Sequence, residues 1–273
     1  MPHLHVPHLG TIYYHEYGSG DKLLFAFHGY GMTGKQFQVL EKSILPDYRV
    51  IGFDHFFHGG SKPAGTEEKR ILSGMEKEDV KQYIDAFFTA QGHRERFSLL
   101  GYSIGANFVL TLTEFFAAEI DRIILMAPDG LVPHRGFRFL RQHFFGKRLF
   151  RRLTYSKTLA TSGLNALKRF RLLDDSLHRI AYSEIDTPQK RLDVYFTLNF
   201  IRHISPDVQT VAAAINKYGI RVLLIFGKHD ALFPKSNANE FLASVPVAEV
   251  HEVPLGHWLV TRELDDYLAE KME

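Results

Sequence analysis

The sequence predicts an α/β fold: a mostly parallel central sheet with helices on both faces. Short apolar runs, which are typical of strands buried on both faces, alternate along the chain with longer segments of helical period. This alternation stops near residue 131 and resumes near residue 216, and the segment between these points has only helical patterns. We therefore predict one core, formed by residues 1–130 and 216–273, and a helical cap inserted into it, formed by residues 131–215.

The predicted core begins with a hairpin and continues with buried strands. Residues 3–9 and 11–17, joined at Gly10 and rich in tyrosine, predict two antiparallel strands at an edge of the sheet. The other predicted strands lie at residues 23–27, 50–53, 97–102, 120–127, 221–226 and 249–253. The predicted helices of the core lie at residues 35–43, 76–90, 104–118, 235–244 and 263–272. Each strand after the hairpin is thus followed by a helix or by the inserted segment, which is the connection that parallel strands require.

The composition excludes several kinds of site. The 273 residues include no cysteine, so disulfide bonds and thiolate metal sites are excluded. His3, His5 and His8 alternate along one predicted strand, which favours a solvated edge over a metal site, so we predict no metal ion. A glycine-rich phosphate loop between a strand and a helix is missing, so we predict no nucleotide and no other cofactor.

The N-terminus and the hydropathy pattern indicate a location for the protein. The first residues lack the basic and apolar regions of a signal peptide. No apolar run is long enough to cross a bilayer. We therefore expect a cytoplasmic protein.

A candidate nucleophile lies in the pentapeptide Gly-Tyr-Ser-Ile-Gly at residues 101–105. An apolar strand precedes it and a helix follows it, which is the context of a nucleophile elbow. At the apex of so tight a turn the backbone of Ser103 must take a positive φ, and the flanking glycines relieve crowding against neighbouring backbone. Its hydroxyl would lie at the N-terminus of a helix, where backbone N–H groups stabilise negative charge.

Two later loops carry the partners that such a serine needs. A serine hydroxyl becomes nucleophilic when a base removes its proton, and the base needs a carboxylate that orients it. Asp230 follows the predicted strand at 221–226, and His257 follows the strand at 249–253. Because the carboxyl ends of parallel strands meet at one edge of the sheet, we expect both residues to lie near Ser103.

Five short motifs, in order along the chain, make the sequence resemble the α/β-hydrolase superfamily. They are His-Gly-Tyr-Gly at 28–31, Asp54 with His-Gly-Gly-Ser at 58–61, Gly-Tyr-Ser-Ile-Gly at 101–105, Gly-Lys-His-Asp at 227–230 and Gly-His at 256–257. The resemblance covers nearly all of the chain outside the predicted cap, and triads of this superfamily run in the order Ser, Asp, His. It therefore implies the α/β-hydrolase fold.

The resemblance also implies a role for each candidate residue. Ser103 is expected to be the nucleophile, His257 the general base, and Asp230 the carboxylate that orients the base. The backbone N–H groups of Tyr30 and Ile104 are expected to form the oxyanion hole.

Two positions leave alternatives open. Some members of the superfamily take the carboxylate from an earlier loop, so Asp129, which follows the strand at 120–127, is the alternative acid. Many relatives have glycine before the histidine of the turn that follows Asp54, whereas this chain has Phe57 there. This difference indicates either an altered turn or an aromatic wall near the site.

The predicted cap is strongly basic. Residues 131–215 contain 15 Lys and Arg against 6 Asp and Glu, whereas the rest of the chain contains 18 against 25. In residues 135–152 arginines are interleaved with phenylalanines, and three interpretations remain open. The segment forms an apolar acyl pocket with a basic rim, it makes a peripheral contact with an anionic membrane surface, or its phenylalanines pack on the core while its arginines are solvated. The candidate residues of a pocket are Phe57, Tyr102, Phe137, Phe144 and Phe145.

These observations lead to one preferred function and two alternatives. The resemblance implies a serine hydrolase that cleaves a small carboxylic ester by acyl-enzyme chemistry, so the expected partner is a small ester or a related acyl substrate. The first alternative is a carbon–carbon bond hydrolase that uses the same triad on vinylogous diketones, and the second is a non-catalytic ligand receptor on the same fold. A nucleic-acid partner is not expected, because the core is acidic and no nucleic-acid-binding motif is found.

Overall fold

A nine-stranded sheet forms the centre of the computed structural model, which describes residues 2–132, 135–173 and 175–272. Its strands are β1 (His3–Val6), β2 (Gly10–Tyr17), β3 (Lys22–Phe27), β4 (Tyr48–Phe53), β5 (Lys62–Pro63), β6 (Phe97–Tyr102), β7 (Ile120–Met126), β8 (Arg221–Gly227) and β9 (Glu249–Val253). Their order in the sheet is β1-β2-β4-β3-β6-β7-β8-β9, and the short β5 pairs with β2. Pairs that involve β2 are antiparallel, and those from β4 to β9 in this order are parallel. The predicted sheet and its antiparallel edge hairpin are therefore confirmed.

Side chains alternate between two apolar layers, one on each face of the sheet. In β3, Leu23, Phe25 and Phe27 belong to one buried cluster, whereas Leu24 and Ala26 belong to the other. Both layers are almost free of solvent, which explains why the parallel strands are continuous apolar runs in the sequence.

Eleven α-helices are described. They are α1 (Glu68–Ser73), α2 (Lys77–Gln91), α3 (Gly105–Phe116), α4 (Arg135–Gln142), α5 (Phe144–Tyr155), α6 (Lys157–Arg169), α7 (Asp175–Glu184), α8 (Pro188–Phe200), α9 (Val208–Tyr218), α10 (Asn239–Ser244) and α11 (Arg262–Met272). Local sequence sets the bounds of α2, because Glu76 and Asp79 form a capping box at its start and Gly92 ends it in the left-handed conformation. The helices predicted at 76–90, 104–118 and 263–272 are thus found with small changes of bounds.

The helix predicted at residues 35–43 is shorter and more tightly wound in the structure. The chain forms a 3₁₀ helix at Gly34–Val39. Phe37 and Leu40, three residues apart, are both fully buried in the same cluster. A period of three residues places both on one face, which a 3₁₀ helix provides and an α-helix does less well.

The segment between β7 and β8 consists of helices, as the sequence predicts. Within it, the buried Arg191 of α8 donates hydrogen bonds to the carbonyl oxygens of Thr154 at 2.9 Å and Ile185 at 2.8 Å, and so joins three parts of the segment. The last helix of the segment, α9, instead packs on α3 of the core. We propose that α4–α8 form the inserted cap within residues 131–215 and that α9 belongs to the core.

Candidate active site

Ser103 lies at the tip of a tight turn between β6 and α3. Its φ is 52°, in the left-handed region that a residue with a Cβ adopts only under strain. A Cβ on Gly105 would lie 2.0 Å from the carbonyl oxygen of Phe27, and one on Gly101 would lie 2.8 Å from the Cα of Ala106. Both flanking positions therefore require glycine, and the predicted strand–turn–helix geometry is present.

Hydrogen bonds connect Ser103 to the two residues that sequence analysis paired with it. The Oγ of Ser103 is 3.1 Å from the Nε2 of His257, and the Nδ1 of His257 is 2.8 Å from Oδ2 of Asp230. All three residues are buried. The structure therefore brings together serine, imidazole and carboxylate in a geometry suited to proton transfer.

The carboxyl group of Asp230 is held in its charged form. Its Oδ1 accepts hydrogen bonds from the backbone N–H groups of Leu232 at 2.8 Å and Phe233 at 3.0 Å. Burial raises the pKa of Asp230, but the hydrogen bond and charge of His257 and these two N–H donors outweigh it and keep the pKa below its usual value. An ionised Asp230 accepts a hydrogen bond from the N–H of Nδ1, which leaves Nε2 of His257 as the acceptor that faces Ser103.

Two aromatic side chains hold His257 in place. The hydroxyl of Tyr102 donates a hydrogen bond to the carbonyl oxygen of His257 at 2.8 Å, and the two rings are stacked with centroids 5.5 Å apart. The ring of Phe233 lies 5.5 Å from the imidazole. Sequence analysis placed Tyr102 in a substrate pocket and did not select Phe233, because these contacts depend on the meeting of separate loops.

The alternative acid, Asp129, lies in a different environment. Its backbone N–H donates to the carbonyl oxygen of Ser103 at 3.2 Å. Its carboxylate acts on Arg141 of α4: burial lowers the pKa of Arg141, and the charge of Asp129 opposes this effect. The carboxylate that contacts His257 is that of Asp230, so the structure favours Asp230 as the acid.

The loop at residues 28–31 passes beside the elbow. The N–H of Gly29 donates to Oε1 of Gln36 at 3.1 Å, and the N–H of Gly31 donates to Nε2 of His58 at 3.0 Å. Between them, the N–H of Tyr30 has no acceptor among the described residues, and the same is true of the N–H of Ile104. Both groups are therefore available to an external acceptor.

Three buried histidines lie behind this loop. The Nε2 of His28 accepts a hydrogen bond from the N–H of His55 at 2.9 Å, and the rings of His28 and His55 are 4.3 Å apart. Burial lowers the pKa of all three, with the neighbouring imidazoles contributing to His28 and His55, and the pKa of His55 falls to about 3. His28, His55 and His58 are therefore neutral at neutral pH, and each acceptor nitrogen that holds the loop stays unprotonated.

Residues 22–262 match the family described as the alpha/beta hydrolase fold. The chain belongs to that family. The family and fold predicted from the sequence are therefore confirmed.

The names of proteins similar to this chain include more than one hydrolase activity. The curated 2-hydroxy-6-oxo-6-(2'-aminophenyl)hexa-2,4-dienoic acid hydrolase of Metapseudomonas resinovorans is 23% identical over 93% of this chain and 83% of its own length. An esterase structure from Thermogutta terrifontis superposes with a TM-score of 0.69 at 14% identity, covering 99% of this chain and 96% of that one. A meta-cleavage product hydrolase from Pseudomonas fluorescens has a TM-score of 0.62 at 17% identity, with coverage of 99% and 96%.

Phe57 occupies the turn after Asp54 with a backbone suited to glycine. Its φ is 68°, so the local turn keeps a left-handed conformation despite the side chain. The ring packs on Phe196 at 5.8 Å and Phe200 at 5.6 Å, both in α8. These contacts join the turn to the helical segment, and the aromatic wall near the site stays a prediction.

The other pocket candidates occupy different places. Tyr102 is buried beside His257, as described above. Phe144 and Phe145 are 70% and 67% exposed, so the prediction that they line an apolar pocket was wrong. The reason is that α5 buries Gly146, Phe150 and Thr154 instead, which lie on its opposite side. The side chain of Phe137 lies outside the part of the chain that the structure describes.

A cavity of about 290 Å³ lies between the core and α7. The core contributes residues that directly follow Tyr30 and His257, and α7 contributes the opposite wall. Its lining residues are Gly31, Met32, Arg179, Ile180, Ser183, Glu184 and Trp258. Sequence analysis selected none of the α7 residues, because the place of a cap helix over the core leaves no local pattern.

Glu184 places a carboxylate close to the loop at 28–31. Its Cδ lies 3.4 Å from the position of a Cβ on Gly31, and its Oε1 forms an ion pair with Lys190 at 3.2 Å. Burial raises the pKa of the Tyr30 hydroxyl, and the charges of Glu184 and Asp193 raise it further. The cavity is therefore lined by an anionic group, Glu184, and by a cation, Arg179, and both belong to α7.

No group of three or more His, Asp or Glu side chains in the described ranges is arranged to hold a metal ion. His3 and His5 lie in β1, where the ring of His3 stacks on Tyr13, whereas His8 lies in the turn after β1 with its Nε2 3.1 Å from Oδ1 of Asp79.

Proposed function

We propose that this chain is a serine hydrolase that cleaves small carboxylic esters through an acyl-enzyme. The proposal is carried by the two hydrogen bonds that run from Ser103 Oγ to His257 Nε2 and from His257 Nδ1 to Asp230 Oδ2. Membership of the alpha/beta hydrolase fold family and the similarity to an esterase structure support the choice of an ester.

The first half of the reaction forms the acyl-enzyme. Ser103 Oγ attacks the ester carbonyl while Nε2 of His257 takes its proton, and the carboxylate of Asp230 stabilises the imidazolium. The negative charge on the former carbonyl oxygen is stabilised by the N–H groups of Tyr30 and Ile104; a donor of this kind contributes about 3 kcal/mol. The imidazolium then protonates the leaving alkoxide.

The second half of the reaction releases the acid. His257 takes a proton from a water molecule, whose oxygen attacks the acyl carbonyl, and the same two N–H groups stabilise the second tetrahedral intermediate. Collapse of the intermediate breaks the bond to Ser103 Oγ, which regains its proton from His257. The enzyme returns to its initial state.

The cavity supports a small substrate. A volume of about 290 Å³ is at the lower end of ligand pockets, and its lining includes both Arg179 and Glu184. We propose that it binds the part of the ester that extends from the carbonyl toward α7. Short acyl groups with a polar substituent fit this space better than long apolar chains.

The test combines a substrate series with labelling of the serine. We expect hydrolysis of p-nitrophenyl acetate and butyrate, a loss of at least about 10⁴-fold in kcat for Ser103→Ala, and covalent labelling of Ser103 by a fluorophosphonate. Ser162→Ala, in an exposed position of α6, is the matched control and keeps parent activity. Ester hydrolysis that survives Ser103→Ala would overturn the proposal, and a folded parent that is neither active nor labelled would favour a ligand receptor.

Cleavage of a carbon–carbon bond is the second candidate. The curated relative from Metapseudomonas resinovorans is named as a dienoic acid hydrolase, and Arg179 in the cavity offers a cation to a substrate carboxylate. Activity on a vinylogous diketone acid, lost in Arg179→Gln and absent on simple esters, would favour this candidate over the ester.

A further inference from the structure

Exposed apolar side chains are concentrated in α4–α6 and the turn that follows. Among the described residues, thirteen large apolar side chains are exposed, and nine of them lie between residues 139 and 172. Single exposed apolar residues are ordinary on a protein surface, but a concentration of this kind marks an interaction site. Phe144, Phe145 and Phe170 are the most exposed phenylalanines among them, and the first two are adjacent in the chain.

The aromatic side chains at the start of α5 touch one another. The ring of His143 is stacked on Phe139 at 5.1 Å and on Phe145 at 5.8 Å, and the rings of Phe144 and Phe145 are 5.4 Å apart. We call these four residues the aromatic ridge. It is a contiguous and exposed aromatic surface.

Cations lie on the same side of α5 as the ridge. At 100° per residue, Arg148 and Arg152 lie within about 80° of Phe144 around the helix, whereas the buried Gly146 and Phe150 lie on the other side. The long apolar stems of arginine allow the charged groups to extend past the phenylalanine rings.

The charge of this region is only partly compensated. Residues 135–173 contain eleven Lys and Arg and no Asp or Glu. Three of these cations have partners from outside the region: Arg151 with Glu68 at 3.8 Å, Lys157 with Asp186 at 2.5 Å and Lys168 with Asp175 at 3.1 Å. Lys147, Arg148 and Arg152 form no ion pair with any residue in the described ranges.

We propose that the aromatic ridge, with Lys147, Arg148 and Arg152, docks on the surface of an anionic phospholipid bilayer. Phenylalanine rings enter the boundary between headgroups and acyl chains, and the cations contact the lipid phosphates, which lie farther from the centre of the bilayer. The contact is peripheral, since none of the helices in the described ranges is long and apolar enough to span a membrane.

Other occupants fit these observations less well. A second copy of the chain would bring the same unpaired cations face to face, which is repulsive. A nucleic acid would satisfy the arginines, but the exposed phenylalanines would become buried only against unstacked bases. An anionic bilayer satisfies the rings and the cations together.

The test is sedimentation with vesicles of defined composition. We expect the parent protein to bind vesicles of equal phosphatidylcholine and phosphatidylglycerol, to bind phosphatidylcholine alone much more weakly, and to dissociate at high salt. The double variant Arg148→Gln/Arg152→Gln should lower the partition coefficient about 25-fold, which corresponds to a factor of about five for each cation. The double variant Phe144→Ser/Phe145→Ser should lower it at least as strongly.

Matched controls separate the surface from general properties of the chain. Val247→Ser removes an equally exposed apolar side chain elsewhere, and Lys217→Gln removes a cation on α9; both should bind as the parent does. Because none of these residues belongs to the proposed catalytic machinery, hydrolysis of a short soluble ester reports that each variant is folded.

Several outcomes would overturn the proposal. One is no binding of the parent to phosphatidylglycerol vesicles, and another is equal loss of binding in the controls. Tighter binding of an RNA oligonucleotide that the same arginine variant abolishes would assign the surface to nucleic acid. A concentration-dependent dimer that Phe144→Ser/Phe145→Ser dissociates would assign it to a second copy of the chain.

Discussion

The hydroxyl of Tyr102 donates a hydrogen bond to the backbone carbonyl oxygen of His257 at 2.8 Å, while the tyrosine ring stacks on the imidazole at 5.5 Å. The residue before the proposed nucleophile therefore holds the loop that carries the proposed base. The ring of Tyr102 also lies against Gly29, where a Cβ would be only 2.6 Å from it. One buried side chain therefore links the elbow, the loop of His257 and the loop at residues 28–31.

Tyr102→Phe tests this link. The variant keeps the ring but removes the hydrogen bond, and it leaves a buried carbonyl without its partner, at a cost to stability of about 1–3 kcal/mol. We expect kcat for an ester to fall on the order of tenfold with little change in KM, because His257 is less well positioned. Tyr218→Phe, at an exposed position of α9, is the control. An unchanged kcat in Tyr102→Phe would contradict the proposed role of the bond.

Asp230→Asn separates the two candidate acids. An amide at this position donates where the carboxylate accepts, so His257 changes to the tautomer that presents N–H to Ser103. We expect kcat to fall by a factor of about 10⁴, while the structure of the variant stays the same. Asp129→Asn is the matched variant on the neighbouring loop, and its kcat should stay within tenfold of the parent. A larger loss in Asp129→Asn than in Asp230→Asn would assign the acid to the earlier loop.

The close packing of the 28–31 loop can be tested at Gly29. A Cβ there would lie 2.6 Å from the ring of Tyr102, so Gly29→Ala displaces either the loop with the Tyr30 N–H or the tyrosine. We expect kcat to fall at least tenfold and the unfolding free energy to fall by about 1–3 kcal/mol. At Gly92 nothing lies within 4 Å of such a Cβ, so alanine there causes no clash. Its only cost is the backbone strain of a φ of 76°. Gly92→Ala should therefore lose stability and keep its kcat.

Much of the fold follows from local patterns, and the proposed triad follows from chain order. β3, β6, β7 and β8 are buried on both faces, so nearly every residue in them is apolar. Such continuous apolar runs can be recognised in the sequence alone. Parallel topology then places the loops after β6, β8 and β9 at one edge of the sheet. Ser103, Asp230 and His257 therefore lie together as the sequence predicts.

Other features depend on contacts between distant segments, and the sequence does not show them. Glu184 and Phe233 reach the site because α7 and the loop after β8 pack there, and neither lies in a distinctive motif. In α5 the apolar residues cover more than one side of the helix, so the pattern did not determine which side is buried. The prediction for Phe144 and Phe145 was wrong for this reason.

The buried histidines make stability depend on pH. The unfolded chain binds a proton on each histidine as the pH falls through about 6.5, whereas burial keeps the folded His55 neutral until about pH 3. Stability is therefore lost as the pH falls from about 6.5 toward 3, at about 1.4 kcal/mol per pH unit for His55, with His28 and His58 adding losses of the same sign.

His55→Phe measures that contribution. Its ring can keep the contact of the imidazole with Phe108, whose centroid is 4.4 Å away. Urea unfolding at pH 8 reports the change in packing together with the loss of the hydrogen bond from Nε2 of His55 to the carbonyl oxygen of His28 at 2.8 Å. The series from pH 6 to 4 reports the titration. The slope of unfolding free energy against pH should be shallower than that of the parent by about 1.4 kcal/mol per unit. Equal slopes would mean that His55 is protonated in the folded protein.

We expect Glu184 to influence which charge the cavity accepts. Its carboxylate is mostly buried beside Gly31 and is compensated by Lys190, so its removal leaves the cations Lys190 and Arg179 near the cavity with less negative charge beside them. We expect Glu184→Gln to raise kcat/KM about fivefold for an ester with a carboxylate on its acyl group, because a repulsion of about 1 kcal/mol is removed. For a neutral ester of the same size kcat/KM should not change, and Glu240→Gln, on the distant α10, should affect neither substrate. If Glu184→Gln changes both esters equally, the carboxylate shapes the site without selecting the charge of the substrate.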